Sequence, residues 1–154
     1  MTDLSKVVAD ADVLAADLLI GGPARDALDL VRSHSWLQLV ASDELLDDAQ
    51  AVIADLADPG LAADWREAIE DLRTPVEQPP GDHPGLASAL HGDAVQLLSF
   101  DDRLTSAKGG VTIRKYVEVS VKHPDAYVQL FDPERMYPEI VGGEYPGPDR
   151  DPRA

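Results

Sequence analysis

The stretch VVADADVL, residues 7–14, sets an apolar strand directly against two carboxylates. Val7 and Val8 favour extended backbone and Asp10 and Asp12 disfavour it, so the strand should end near Ala9. Acids at such an end serve as helix caps, as solvated loop residues or as metal ligands. The pattern recurs at VQLLSFDD, residues 95–102, where an apolar run delivers Asp101 and Asp102.

Two more strand-like runs are WLQLVA (36–41) and VEVSV (117–121). Helical stretches fall between the strands: 10–20 and 24–33, split by Gly21-Gly22-Pro23, then 43–57 and 61–72, split by Asp58-Pro59-Gly60. A proline-rich connection, TPVEQPPGDHPG (74–85), leads into a helix over 84–91. Strands alternating with helices predict an α/β domain whose parallel sheet is covered on both faces. The apolar runs 7–9 and 95–99 suit its central positions. Residues 1–141 read as one domain. The tail GGEYPGPDRDPRA (142–154) reads as disordered or loosely packed.

The 154 residues suit a single domain, and 44% hydrophobic residues suffice for a core. No run approaches the roughly 20 apolar residues of a membrane helix, and MTDLSKVV has no signal-peptide pattern. The absence of cysteine excludes disulfides and thiolate metal sites. A soluble, cytoplasmic protein is expected. Its net charge is −16, with 21 Asp and 8 Glu against 9 Arg and 4 Lys. That balance disfavours a broad basic face for duplex DNA. The Asp-rich, Lys-poor composition resembles that of salt-loving archaeal proteins. The segment 103–123 stands apart, with Arg103, Lys108, Arg114, Lys115 and Lys122 opposed only by Glu118.

In open parallel sheets, sites form at the carboxyl ends of strands. Asp10 and Asp101 occupy two such ends and converge if both strands are central. In the helix over 43–57, Ser42 is the expected cap. Leu45, Leu46, Ala49, Val52, Ile53 and Leu56 form the apolar stripe. At about 100° per residue, Asp47 points away from that stripe, whereas Asp48 lies about 40° from Val52, at its margin. Pro84 prefers the first helical position, so His83 takes the cap and leaves Asp82 just outside. Capping remains an alternative for Asp82, Asp101 and Asp102, and for Asp12 capping a helix at 13–20 is favoured over metal binding. Four acids from four elements suit a hard, oxygen-loving cation such as Mg²⁺ or Mn²⁺. The histidines at 34, 83, 91 and 123 show no metal-ligand spacing, and there is no nucleophile elbow, P-loop or dinucleotide fingerprint. Trp65 falls on an apolar helix face and reads as core or interface; Tyr116, Tyr127 and Phe131 could stack on bases, but packing is the favoured reading.

At these residues the chain resembles the PIN-domain family of metal-dependent ribonucleases, which includes VapC-type toxins. VVADADVL supplies that family's strand ending in Asp, at Asp10, and SDELLDDA its second acid, at Asp48. DHPGLASA supplies the third, at Asp82, and LLSFD the fourth, at Asp101. VSVKHPDAYVQLF resembles the last strand and the helix after it. Asp48 stands where the family usually has Glu, and Ala11 where it has Thr or Ser. The resemblance spans about residues 6–131. It implies a three-layer α/β/α sandwich with a central parallel sheet of about four to five strands. It also implies that Asp10, Asp48, Asp82 and Asp101 hold Mg²⁺ or Mn²⁺ and catalyse hydrolysis of RNA by a metal-activated water. The products would be 5′-phosphate and 3′-hydroxyl ends.

Arg103, Lys108, Arg114 and Lys115 are the expected RNA contacts. An antitoxin protein and a second copy of the chain are further candidate partners. The competing reading is the same fold with a weakened site, acting as an RNA- or protein-binding module. An acidic receiver-like domain is disfavoured, because FDDRL follows strand 95–99 where a receiver would need Lys.

Overall fold

The computed structural model describes residues 3–79, 81, 83–101 and 119–152. The chain runs β1 (Asp3–Ala9), α1 (Ala11–Leu19), α2 (Gly22–Arg32), β2 (Gln38–Ala41), α3 (Asp43–Leu56), α4 (Pro59–Leu72) and β3 (Arg73–Pro75). It continues as α5 (Pro84–His91), β4 (Ala94–Leu98), β5 (Ser120–Lys122), α6 (Pro124–Leu130) and α7 (Pro133–Ile140). The five strands form one parallel sheet in the order β3-β2-β1-β4-β5. With its helices it makes a three-layer α/β/α fold, as expected.

The central strands show why this arrangement is stable. Val7, Val8 and Ala9 are buried in succession, as are Leu97, Leu98 and Ser99 after β4 is under way. Consecutive burial means both faces of the sheet are covered. α5 packs on β1, β2 and β4, while α1 packs on α2 and α3, and α3 on α4. Leu45, Leu46, Ala49 and Ile53 bury the stripe of α3, and Trp65 lies 7% exposed in the core. Tyr127 of α6 and Phe131, just past its end, stack at 5.3 Å, so both are packing residues.

Local chemistry fixes the helix starts. The Ser42 hydroxyl accepts the Leu45 N–H at 3.1 Å, as expected for α3. α4 begins at Pro59, two residues before the expected start, because Asp58 accepts the Leu61 N–H at 2.9 Å and proline suits the first position. Two elements lie beyond the sequence reading: the short edge strand β3 and helix α7. Residues 142–152, expected to be disordered or loosely packed, carry no helix or strand but hydrogen-bond to residues 31–35. There the His34 ring accepts the Tyr145 hydroxyl at 2.5 Å, and Asp149 accepts the Ser35 N–H at 2.7 Å. A cleft of about 800 Å³ lies between α1, α2, α4 and this tail, with Trp65, Arg25 and Arg150 among its lining residues.

Candidate functional site

The strand order reverses direction between β1 and β4. From β1 the chain moves outward to β2 and β3, then returns to add β4 on the other flank of β1. Such a switch point opens a crevice at the carboxyl ends of the two strands. Asp10 stands at one lip of it and Asp101 at the other.

Three polar links knit the two ends together. The Asp10 N–H donates to the Leu98 carbonyl at 2.9 Å, extending the β1–β4 ladder by one bond. The Ser99 hydroxyl donates to Asp10 Oδ2 at 3.3 Å and accepts the Asp101 N–H at 3.0 Å. Asp12 Oδ2 accepts the Phe100 N–H at 3.0 Å. Asp12 was expected to cap a helix at 13–20, but the helix begins at Ala11 and Asp10 is its cap, accepting the Ala11 N–H at 3.0 Å. Starting α1 two residues earlier turns Asp12 toward the end of β4 instead.

The third wall is the start of α5. His83 caps it, with Nδ1 accepting the Leu86 N–H at 3.3 Å, and its Nε2 lies 3.9 Å from Asp10 Oδ2. Gly85 lets the helix approach: a Cβ there would sit 2.9 Å from Asp10 Oδ1 and 3.2 Å from Leu97 Cδ1.

The electrostatics are those of crowded carboxylates. Burial raises the Asp10 pKa above the usual 3.8; the charge of Asp101 adds to this, and His83 with the Ala11 and Ser99 hydrogen bonds opposes it. Burial, then the charges of Asp10 and Asp101, likewise raise Asp12, against the Phe100 N–H. Asp12 Oδ1 is buried and finds no hydrogen-bond partner. An orphaned carboxylate oxygen beside two further carboxylates is a donor set of oxygens alone, which fits a hard divalent cation. Asp10, Asp12 and Asp101 are the residues that would hold it. As they stand, no three His, Cys, Asp or Glu side chains among the described residues are placed to hold a metal ion together.

Asp48 is exposed on α3. Its neighbour Asp47 is exposed as well and pairs with Arg66 at 2.7 Å, so it is occupied away from the crevice. Asp82, Arg103, Lys108, Arg114 and Lys115 lie outside the described residues. Sequence reasoning missed Ser99 and Gly85, and it ranked metal binding by Asp12 below capping. All three stood inside the quoted motifs, but what each one touches depends on how the strands pair.

The fold and site thus define a class: an α/β/α protein with a carboxylate cluster at the switch point of a parallel sheet. The chain belongs to the family of unknown function DUF7384, which matches over residues 1–153. No curated protein and no solved structure matches it. Among the described residues no helix is long and apolar enough to cross a membrane.

Proposed function

We propose that the chain is a Mg²⁺- or Mn²⁺-dependent endoribonuclease of PIN-like kind. The observation that carries the reading is the joining of Asp10 to Asp101 through Ser99, with the unpartnered Asp12 oxygen beside them. When bound, a divalent ion activates water and neutralises charge at a phosphodiester. The chain's own groups supply the rest. Asp10, Asp12 and Asp101 present the oxygens. Ser99 holds Asp10 and the Asp101 backbone in register. In this proposal Asp82 and Asp48 complete the acidic set, and Arg103, Lys108, Arg114 and Lys115 hold the RNA backbone. A cytoplasmic location and a place in a toxin–antitoxin pair belong to the same proposal; a small antitoxin-like reading frame beside the gene would support the pairing.

The exposure of Asp48 favours a second reading, in which the same fold binds RNA or protein without cleaving it. Mn²⁺-dependent cleavage of single-stranded RNA at high salt separates the two. Cleavage by the wild-type chain that disappears in Asp10→Asn supports the nuclease. Binding without cleavage supports the module.

A further inference from the structure

We infer that His83 is a substrate contact of this site, giving its Nε2–H to a phosphate oxygen of the RNA, and that it is not a metal ligand. The inference rests on the nuclease reading and follows from the tautomer. The Leu86 backbone N–H can only donate, so the Nδ1 atom that receives it at 3.3 Å must carry a lone pair. A neutral ring with its lone pair at Nδ1 has its proton on Nε2. A histidine that ligates through Nε2 needs the reverse arrangement, with Nδ1–H donating to a carbonyl or carboxylate. The cap of α5 therefore fixes His83 as a donor at Nε2.

Among the described residues that donor makes no hydrogen bond. Asp10 Oδ2 lies 3.9 Å away, beyond a hydrogen bond. The side chain is 40% exposed, so an incoming group can reach it. It faces the carboxylate that bounds the crevice, and Gly85 brings the helix start against that carboxylate. A phosphodiester drawn to a metal at the acids needs a partner for its remaining anionic oxygens, and carboxylates cannot provide one. His83 Nε2–H is a donor at the right edge, and it orients the phosphate.

The test compares the wild-type chain with His83→Ser at one pH. Serine keeps the cap and loses the donor. We expect unchanged melting temperature and unchanged Mn²⁺ affinity. Affinity for single-stranded RNA in Ca²⁺ and the cleavage rate in Mn²⁺ should fall by about tenfold to a hundredfold, the usual range for a hydrogen bond to a charged group. His83→Asn, also a strong cap, carries the same comparison if the serine variant does not fold. A drop in Mn²⁺ affinity would make His83 a ligand and overturn the inference. So would wild-type RNA affinity and cleavage in the variant, while leaving the nuclease reading in place. A wild-type chain that neither binds nor cleaves RNA overturns both.

Discussion

Asp10 performs two tasks that pull against each other: it caps α1, and it keeps a buried charge beside other carboxylates. Folded Asp10 holds its proton to higher pH than in the unfolded chain, because burial and Asp101 raise its pKa above 3.8. Its ionisation therefore costs stability as pH rises from 3.8 through the folded value, and the cost is fully present above that value. Asp10→Asn keeps the cap, since asparagine caps as well as aspartate. The metal-free variant should be more stable than the wild-type chain at pH 7, and the gap should close as pH falls toward 3.8. In the proposed nuclease, stabilisation by Mn²⁺ bound at the folded cluster should shrink, and cleavage should be lost. Thermal melts across pH, with and without Mn²⁺, read all of this. A variant that is less stable at every pH and keeps its Mn²⁺ response would make Asp10 a cap alone. Gly85→Ala tests the same carboxylate from the other side. Alanine favours the helix by up to about 1 kcal/mol, while its Cβ, at 2.9 Å, forces Asp10 Oδ1 to move. Crowding of this kind costs about 1–3 kcal/mol. Net stability should change by less than about 2 kcal/mol, yet the Mn²⁺ response should fall, because the carboxylate is re-aimed. Equal Mn²⁺ shifts in both proteins would show that the Gly85–Asp10 approach does not matter to the site.

Elements became legible from sequence wherever one local rule decided them. Ser42 and the Leu45–Ile53 stripe announce α3, and Pro84 after His83 announces α5 to the residue. β3 has only three residues, one of them proline, and its pairing with β2 is a tertiary event that no periodicity records. α7 carries Pro138 inside it, which masks its helical pattern. The acidic site was half legible. The strand ends predicted Asp10 and Asp101, but the bridge through Ser99 depends on the pairing of β1 with β4. The tail looked featureless because glycine and proline dominate it, while its attachment uses a few specific groups. The Asp149 and Arg150 N–H groups both donate to the Ser33 carbonyl, at 2.9 and 3.2 Å. Hydrogen bonds from the Ser35 hydroxyl and N–H lower the Asp149 pKa below 3.8. The stability this gives is present above 3.8 and is lost as pH falls through the folded value. Hydrogen exchange at Asp149 and Arg150 should therefore be slow near pH 6 and lose its protection at low pH, after correction for intrinsic rates. Asp149→Ala with Tyr145→Phe should remove that protection at every pH without unfolding the sheet. Protection that persists in the double variant would assign the attachment to Arg150, which donates to the Val31 and His34 carbonyls.

The whole molecule carries a charge of −16 and must fold against its own repulsion. Two opposite salt effects follow. Some acids are neutralised locally: Arg66 pairs with Asp43, Asp47 and Glu70, and Arg73 with Asp43 and Glu70. Salt weakens these pairs, but their acidic partners are 39–69% exposed, and exposed pairs contribute only about 0–1 kcal/mol each. With 29 acids against 13 bases, 16 acids exceed the supply of bases. Screening shortens the reach of their repulsion from about 10 Å at 0.1 M salt to about 3 Å or less above 1 M. Repulsion among many surplus charges should outweigh a handful of exposed pairs, so stability should rise with salt. Melting at about 0.1 M and 2 M KCl, without divalent ions, should show a higher transition at 2 M. Sodium sulfate is unsuitable here, because sulfate also strengthens apolar burial. Mn²⁺ separates the local effect from the global one. At 2 M KCl the general repulsion is screened, whereas carboxylates packed in the crevice are screened much less. Mn²⁺ at saturating concentration should therefore still raise the melting temperature at 2 M KCl, and Asp10→Asn should reduce that increment. A melting temperature that is flat or falling with KCl would show that the charge surplus does not govern stability. An Mn²⁺ increment that vanishes at 2 M KCl, in wild-type and variant alike, would place the ion in the diffuse field of the surface acids and not at Asp10.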